Sequence, residues 1–438
     1  MTLAAKALKD AGWVRNYYAY GGIGEGVLAD IAVIGGGIVG ASCALFLQRD
    51  GHKVTLIDPA EPGTKTSYGN ACSISASAVL PTATPGIIKQ VPAMLMDPAG
   101  PLNIRWRYLP RLAPFLLTLL RNTAPDRVEA HSVAIAALIR GVLPAYATLL
   151  KEVGAESLVQ HVGALKVYKS DASFAGSQYE RDMMTRRGFS FDILNADEVR
   201  QLEPGLAPIF KHALYAPDSA TVKNPGRLVG LFADTLVANG GAILAEEALG
   251  FDIVDNRVTG VRTTSGVIAV DKIVLAAGPW SRGLAARLGA KLRLEAERGY
   301  HVMLPMPDTP IRRFINLVDD KFVLVPHEDG LRLTSGIEYA KLDAPPDYRR
   351  IRNMVKLAAD SVPNLDQTEQ SIWSGNRPSL PDSVPVIDRS PRYANAFLAF
   401  GHSHLGLTMG PVTGRIIADL VAGRDPKLDL SPYRAAGR

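Results

Sequence analysis

The sequence predicts a mixed α/β (α+β) fold, in which a Rossmann-like parallel layer is interleaved with a second domain built on a mostly antiparallel sheet plus helices. Three observations carry this prediction. A buried apolar strand turns through glycines into a helix at residues 31–42. Short β-rich runs with hairpin signals crowd residues 242–270. Between them, residues 102–153 repeat apolar side chains at helical spacing.

The chain has 438 residues and 47% hydrophobic content, enough for a large core and two or three lobes. Residues 1–26 precede the first strand and end in a glycine-rich run, so they read as a loosely attached extension without assigned function. The opening residues lack a signal peptide's apolar run, and no stretch reaches ~18 consecutive apolar residues. A cytoplasmic location is expected. In the first strand-to-helix turn, Gly35, Gly37 and Gly40 give the G-x-G-x-x-G spacing, with Ile38 and Val39 opening the helix. The first glycine permits the tight turn, the second lets backbone approach a pyrophosphate, and the third lets helix pack on strand, so a bound dinucleotide is expected. A second strand at 53–58 ends in Asp58, where a ribose hydroxyl needs an acceptor.

Cys43 in the first helix and Cys72 in a small-residue loop are the two cysteines, which provides neither a disulfide framework nor a cysteine metal site and fits a reducing compartment. The loop 66–75 is small and polar, suited to folding closely around a ligand. Within the helical stretch, residues 104–121 combine Trp106, Tyr108 and Phe115 with Arg105, Arg107, Arg111 and Arg121. This pattern suits either a helix with one face in the core, the favoured reading, or peripheral contact with an anionic membrane. A strand follows at 164–168. Pro225 opens a helix over 227–238 that stops at Asn239-Gly240-Gly241. Strands are predicted at 242–245, 251–254, 257–263 and 267–270, with turns at Asn256 and Ser265-Gly266. The run 272–278 reads as a buried strand ending in a glycine that allows close cofactor approach. Residues 294–334 are again strand-like, 347–362 helical and 397–400 a buried strand. The net charge of +5 is spread along the chain, which favours ordinary solvated surface over nucleic-acid binding.

Several motifs together resemble the D-amino-acid oxidase superfamily of FAD-dependent oxidoreductases, in its bacterial D-amino-acid dehydrogenase-like branch. They are the glycine turn with Asp58, the loop 66–71, Leu275-Ala-Ala-Gly-Pro-Trp280, Arg298-Gly-Tyr-His301, Gly336-Ile-Glu-Tyr339, residues 373–382 and residues 401–408. The resemblance implies an FAD-binding domain from 27–81, 221–290 and 374–438, and a substrate domain from 82–220 and 291–373. It implies FAD contacts by Gly35, Gly37, Ile38, Val39, Gly40, Asp58, Ser67, Asn70, Ala71, Ala277, Gly278 and Trp280. The C-terminal loop would add Gly401, His402, Leu405, Gly406 and Thr408.

Arg377, in the family's Gly-x-Arg-Pro position, is expected to hold a substrate carboxylate, because a guanidinium fork matches it bidentately. Tyr300, His301 and Tyr339 are expected on the sheet over the flavin, and His404 in the pocket. His402 and His404 lack an evident third ligand, so no metal site is expected. Related amine oxidases attach flavin covalently through a cysteine or histidine; Asn70 stands near that histidine's position and the second half lacks cysteine, so FAD is expected to be non-covalent. His404 resembles members that act on cyclic D-imino acids such as hydroxyproline. The implied activity is oxidative deamination of a D-amino or imino acid by hydride transfer from Cα, with electrons passed to a quinone or carrier. A glycine- or sarcosine-type oxidase and an FAD-binding subunit of a heteromeric dehydrogenase are the alternatives.

Overall fold

A run of β-branched and small apolar residues makes the strand Asp30–Ile34, buried from Ile31 onward, and it occupies the middle of a six-stranded sheet. Its neighbours are Lys53–Ile57 on one side and Lys272–Leu275 on the other, both parallel. The order runs Ala242–Leu244, Lys53–Ile57, Asp30–Ile34, Lys272–Leu275, Ala396–Phe400 and Val386–Arg389, and only the last strand is antiparallel. The computed structural model describes residues 28–86 and 102–438; the extension expected at 1–26 lies outside the described residues.

Helix Ile38–Arg49 covers this sheet together with the C-terminal helix Gly406–Ala422. Their approach depends on missing side chains. A Cβ at Gly414 would stand 2.6 Å from the carbonyl carbon of Ser42, and one at Gly410 would stand 2.9 Å from Ile38. In a second, nine-stranded and mostly antiparallel sheet, Glu295–Leu304 lies between Gly330–Tyr339 and the edge strand Ser371–Ser379. Strands Phe322–His327, Phe314–Leu317, Ala164–Tyr168, His212–Ala216 and Asp192–Asn195 extend it. The boundary expected at 373/374 falls inside the continuous strand Ser371–Ser379.

The stretch 102–153 begins as a strand, Leu102–Ile104, which pairs with Gly330–Tyr339, and becomes helical from Leu109. The pairing supplies backbone partners that helical periodicity alone does not reveal. Helix Leu109–Arg121 packs Leu112 and Phe115 inward, as the core reading expects, but leaves Leu109, Leu117 and Leu120 exposed beside an exposed Trp106. Two helical runs, Pro125–Val153 and Ser403–Ala422, are long and apolar enough to cross a membrane by length and composition, and most of each is buried in the protein. Asp255 and Asn256 both adopt positive φ, making the tight turn between Ala248–Val254 and Arg257–Thr263.

Candidate active site

Between the two sheets lies a cavity of about 1060 Å³, at the upper end of ordinary small-ligand pockets (~300–1,000 Å³) and roomy enough for a dinucleotide plus a small substrate. One end is built by the glycine turn. Gly35 takes φ +113°, and a Cβ there would lie 2.4 Å from the Ala276 carbonyl oxygen, so the strand can turn only without a side chain. Gly37 is the N-cap of Ile38–Arg49 and has no side chain to take up first-turn amides, leaving a helix N-terminus at the cavity suited to an anion. The Ile38 amide donates to Ser67 Oγ at 2.9 Å, which ties the turn to the loop 66–75.

That loop is held from behind by the second sheet. Arg332 is fully buried, and its Nη1 donates to the carbonyls of Tyr68 and Asn70, both at 2.9 Å. The ring of His301 meets the Gly69 carbonyl at 3.3 Å and stacks on Trp373 at 5.2 Å. Gly69 and Gly375 flank that indole so tightly that a Cβ at either would fall within about 2 Å of it. Burial, reinforced by the Arg332 charge, pushes His301 down to about 3, so it is a neutral packing residue.

At the other end, Arg377 and His404 line the cavity and converge on one oxygen of Glu297: Arg377 Nη1 at 3.1 Å and His404 Nε2 at 2.7 Å. The second carboxylate oxygen accepts from Ser379 Oγ at 3.1 Å and Tyr339 OH at 3.3 Å. Strand register explains the convergence, since Glu297 pairs directly with Arg377 on one side and with Tyr339 on the other. Burial pushes the Glu297 carboxyl up, but His404, Arg377 and Ser379 together hold it at about 2. Arg377 Nη1 also donates to the Gly336 carbonyl at 3.0 Å, and Gly299 lets the guanidinium lie flat on the strand: a Cβ there would be 2.2 Å from Nη2.

Residues 30–420 match the family model described as FAD dependent oxidoreductase. The chain belongs to this family. A D-amino-acid oxidase of Bradyrhizobium diazoefficiens is 37% identical over 92% of the chain and 97% of that protein. D-amino acid dehydrogenase 2 of Mesorhizobium japonicum is 30% identical over 91% and 98%. Among solved structures, glycine oxidase from Geobacillus kaustophilus has a TM-score of 0.73 at 22% identity, covering 94% of the chain and 99% of that structure. L-proline dehydrogenase from P. horikoshii has a TM-score of 0.71 at 21% identity over 93% and 97%. These two share the fold.

The cavity of this FAD-dependent oxidoreductase fits its cofactor: it joins a helix N-terminus, a cradle that a Cβ at Gly35 would fill and an acidic side chain. Of the residues expected to bind FAD, Gly35, Gly37, Ile38, Val39, Asp58, Ser67, Asn70, Ala71, Ala277, Gly278, Trp280, His402, Leu405 and Gly406 line it. Asp58 has a second task, because Oδ2 accepts from the Gly36 amide at 2.7 Å and Oδ1 from Ala60 at 2.8 Å. His402 is buried against Thr413 at 2.9 Å, and burial lowers it to about 3.

Five expected contacts stand off the cavity wall. Gly40 serves packing: its Cβ would sit 1.8 Å from the Gly35 carbonyl oxygen. Gly401 turns the chain at φ +86° beside Leu380. Thr408 Oγ1 accepts from the Ser75 amide at 3.0 Å and donates to Ser73, stitching the C-terminal helix to the loop. Tyr339 sits behind Glu297, against Phe115. Tyr300 faces away altogether, because adjacent strand residues point to opposite sides. It lies on the side of helix Arg349–Ala358, bonded to Glu338 and Asp347. Glu297 itself was not singled out by the sequence, and one acid in a strand gives no local signal.

Proposed function

We propose that this oxidoreductase oxidises the Cα–N bond of a D-amino acid or cyclic D-imino acid to an imine, releasing ammonia on hydrolysis where the substrate is acyclic, with electrons passed on to a quinone or carrier. The observation that carries the substrate class is Arg377, a guanidinium on the cavity wall whose place on the neighbouring strand is left open by Gly299. The names of the two full-length relatives support the D configuration. Gly35, Gly37, Ile38, Ser67, Asn70, Ala71 and Asp58 would hold FAD, which supplies a hydride acceptor when bound. Arg377 binds and orients the carboxylate, while Leu405 and Trp373 keep water from that part of the cavity. We further propose that FAD is non-covalent: Cys43 and Cys72 are both buried, and Asn70 turns its amide into its own loop, donating to Ser67 and accepting from Cys72. Acid precipitation should leave the yellow colour in solution.

The test is anaerobic addition of D- and L-alanine, D- and L-proline, D-hydroxyproline and glycine to the yellow protein, with flavin bleaching as the readout. Bleaching by D-substrates supports the reading, and bleaching by glycine or L-forms alone overturns it. Oxygen uptake against dye reduction then separates the oxidase reading, which the name of the Bradyrhizobium relative favours, from a dehydrogenase. A scaffold subunit needs no carboxylate clamp, so Arg377 argues for catalysis.

We also propose peripheral contact with an anionic membrane on the cytoplasmic side. Supporting it, exposed Trp106, Leu109, Leu117 and Leu120 share one short helical segment with exposed Arg107, Arg111 and Arg121, and no acidic residue occurs between Asp97 and Asp126. The holoenzyme should sediment with phosphatidylserine vesicles at low salt and be released at high salt. Failure to sediment at low salt would return this face to ordinary surface.

A further inference from the structure

We propose that His404 and Glu297 form an imidazole–carboxylate dyad that takes the proton from the substrate's ammonium group before the hydride leaves. This deepens the proposed function and rests on Arg377 binding the substrate carboxylate.

The geometry is specific. His404 stands at the cavity wall with its side chain 39% exposed, while its Nε2 is bound to a Glu297 oxygen at 2.7 Å. Held this way, the ring donates through Nε2–H, and the neutral tautomer leaves Nδ1 as an acceptor. Arg377 reaches the same Glu297 oxygen, so the two cavity-facing groups are neighbours. An α-amino group is two bonds from its carboxylate carbon. A substrate held through its carboxylate by Arg377 therefore carries its amine toward the imidazole.

The chemistry needs such an acceptor, because at neutral pH an amino acid arrives as its ammonium form, which has no lone pair to support departure of a hydride from Cα. In the dyad step an N–H bond of the ammonium breaks and an Nδ1–H bond forms, producing a neutral amine and an imidazolium. FAD, when bound, would supply the acceptor for the hydride and its electron pair from Cα, and the lone pair of the neutral amine would close the C=N bond of an iminium product. Glu297 acts as a positioning residue: it fixes the ring and its charge stabilises the imidazolium. Among the described residues, Glu297 is bonded to His404, Arg377 and Tyr339 share that carboxylate, and His402 lies on the same turn, while Asp58, Glu61, Lys65, Glu247, Arg287 and Lys321 line other parts of the cavity wall. Glu297 is the carboxylate bonded to the ring, with Ser379 and Tyr339 keeping it in place.

The experiment is single-turnover anaerobic reduction of the FAD-loaded protein by D-alanine and D-proline across pH, in wild type, His404→Asn and Glu297→Gln. Flavin absorbance reports cofactor content, so a misfolded variant is recognised before kinetics. In wild type the rate should rise with pH and level off once the imidazole is neutral. In His404→Asn it should be about 100-fold slower at pH 7, the scale of general-base catalysis, and keep climbing tenfold per pH unit toward the range where the free amine forms. Glu297→Gln should lower the rate and move the pH profile toward that of His404→Asn, because the ring is no longer held. If His404 were instead a cationic partner of the carboxylate, wild-type half-saturation would worsen as pH rises and the variant would lose that dependence. That result, or parallel pH profiles in wild type and His404→Asn, overturns the dyad while leaving the substrate assignment intact. Absence of bleaching of the wild-type flavin by either D-substrate at any pH overturns the function on which the dyad rests.

Discussion

Arg377 concentrates more of the proposed chemistry than any other side chain. Truncation to alanine should leave FAD bound while removing the partner of a desolvated carboxylate, at a cost of about 2–5 kcal/mol, or roughly 30-fold to several thousand-fold in substrate binding. Lysine should rescue only part, since a point charge does not reproduce the planar fork. Titration of flavin bleaching against D-alanine concentration checks both; unchanged half-saturation in the alanine variant would remove Arg377 from the site. Arg332 presents the opposite case, a buried guanidinium bonded to the carbonyls of Tyr68 and Asn70, with no carboxylate partner among the described residues. Replacing it with methionine removes an expensive buried charge as well as a tether. Global stability should therefore change little while FAD affinity drops about tenfold, through the cost of leaving loop carbonyls unpaired. Equilibrium dialysis of FAD alongside a thermal melt separates the two effects.

At the scale of elements, the helix pair over the parallel sheet is the most sensitive joint. A Gly414→Ala substitution places a methyl 2.6 Å from the Ser42 backbone and should cost about 1–3 kcal/mol, measured as a lowered urea midpoint. Retention of the wild-type midpoint would mean that the two helices separate freely. The glycine turn, the strands on either side of Asn256 and the helix opened by Pro225 were legible in the sequence, because each is specified within a dozen neighbouring residues. The Glu297 hub was not, since its partners lie 42, 80 and 107 residues away in the chain and meet only through strand register and the Ser403–Leu405 turn. Tyr300 marks a different failure, as strand alternation was available and puts it on the face opposite its neighbour His301. The strand Leu102–Ile104 escaped helical periodicity because its pairing partner, Ile337–Tyr339, is more than 230 residues distant.

For the whole molecule, the buried histidines set the acid limit. His301 and His327 lie beside the Arg332 charge and His402 is packed against Thr413; burial, with the Arg332 charge in the first two cases, holds them at about 3, 4 and 3. Each binds its proton more weakly folded than unfolded, so their contribution is fully present above the ordinary histidine range of ~6.5 and is lost as pH falls from there toward 3–4. Each costs up to about 1.4 kcal/mol per pH unit inside that window. Melting temperature should thus fall between pH 6.5 and 4.5 in the FAD-saturated protein, and a flat profile would show that these side chains are solvated.

The place of Asp30–Ile34 in the sheet also matters during synthesis. Ile31 faces Lys272 in register, so the chain's first described strand leaves the ribosome with one edge open and waits for a partner some 240 residues behind it. At ~5–20 residues per second that interval is on the order of 12–48 seconds, during which an apolar template is available to other nascent chains. Production of this oxidoreductase should accordingly depend on holding chaperones and slow cooling far more than its finished stability suggests, and excess FAD added after synthesis should not recover chains lost in that interval.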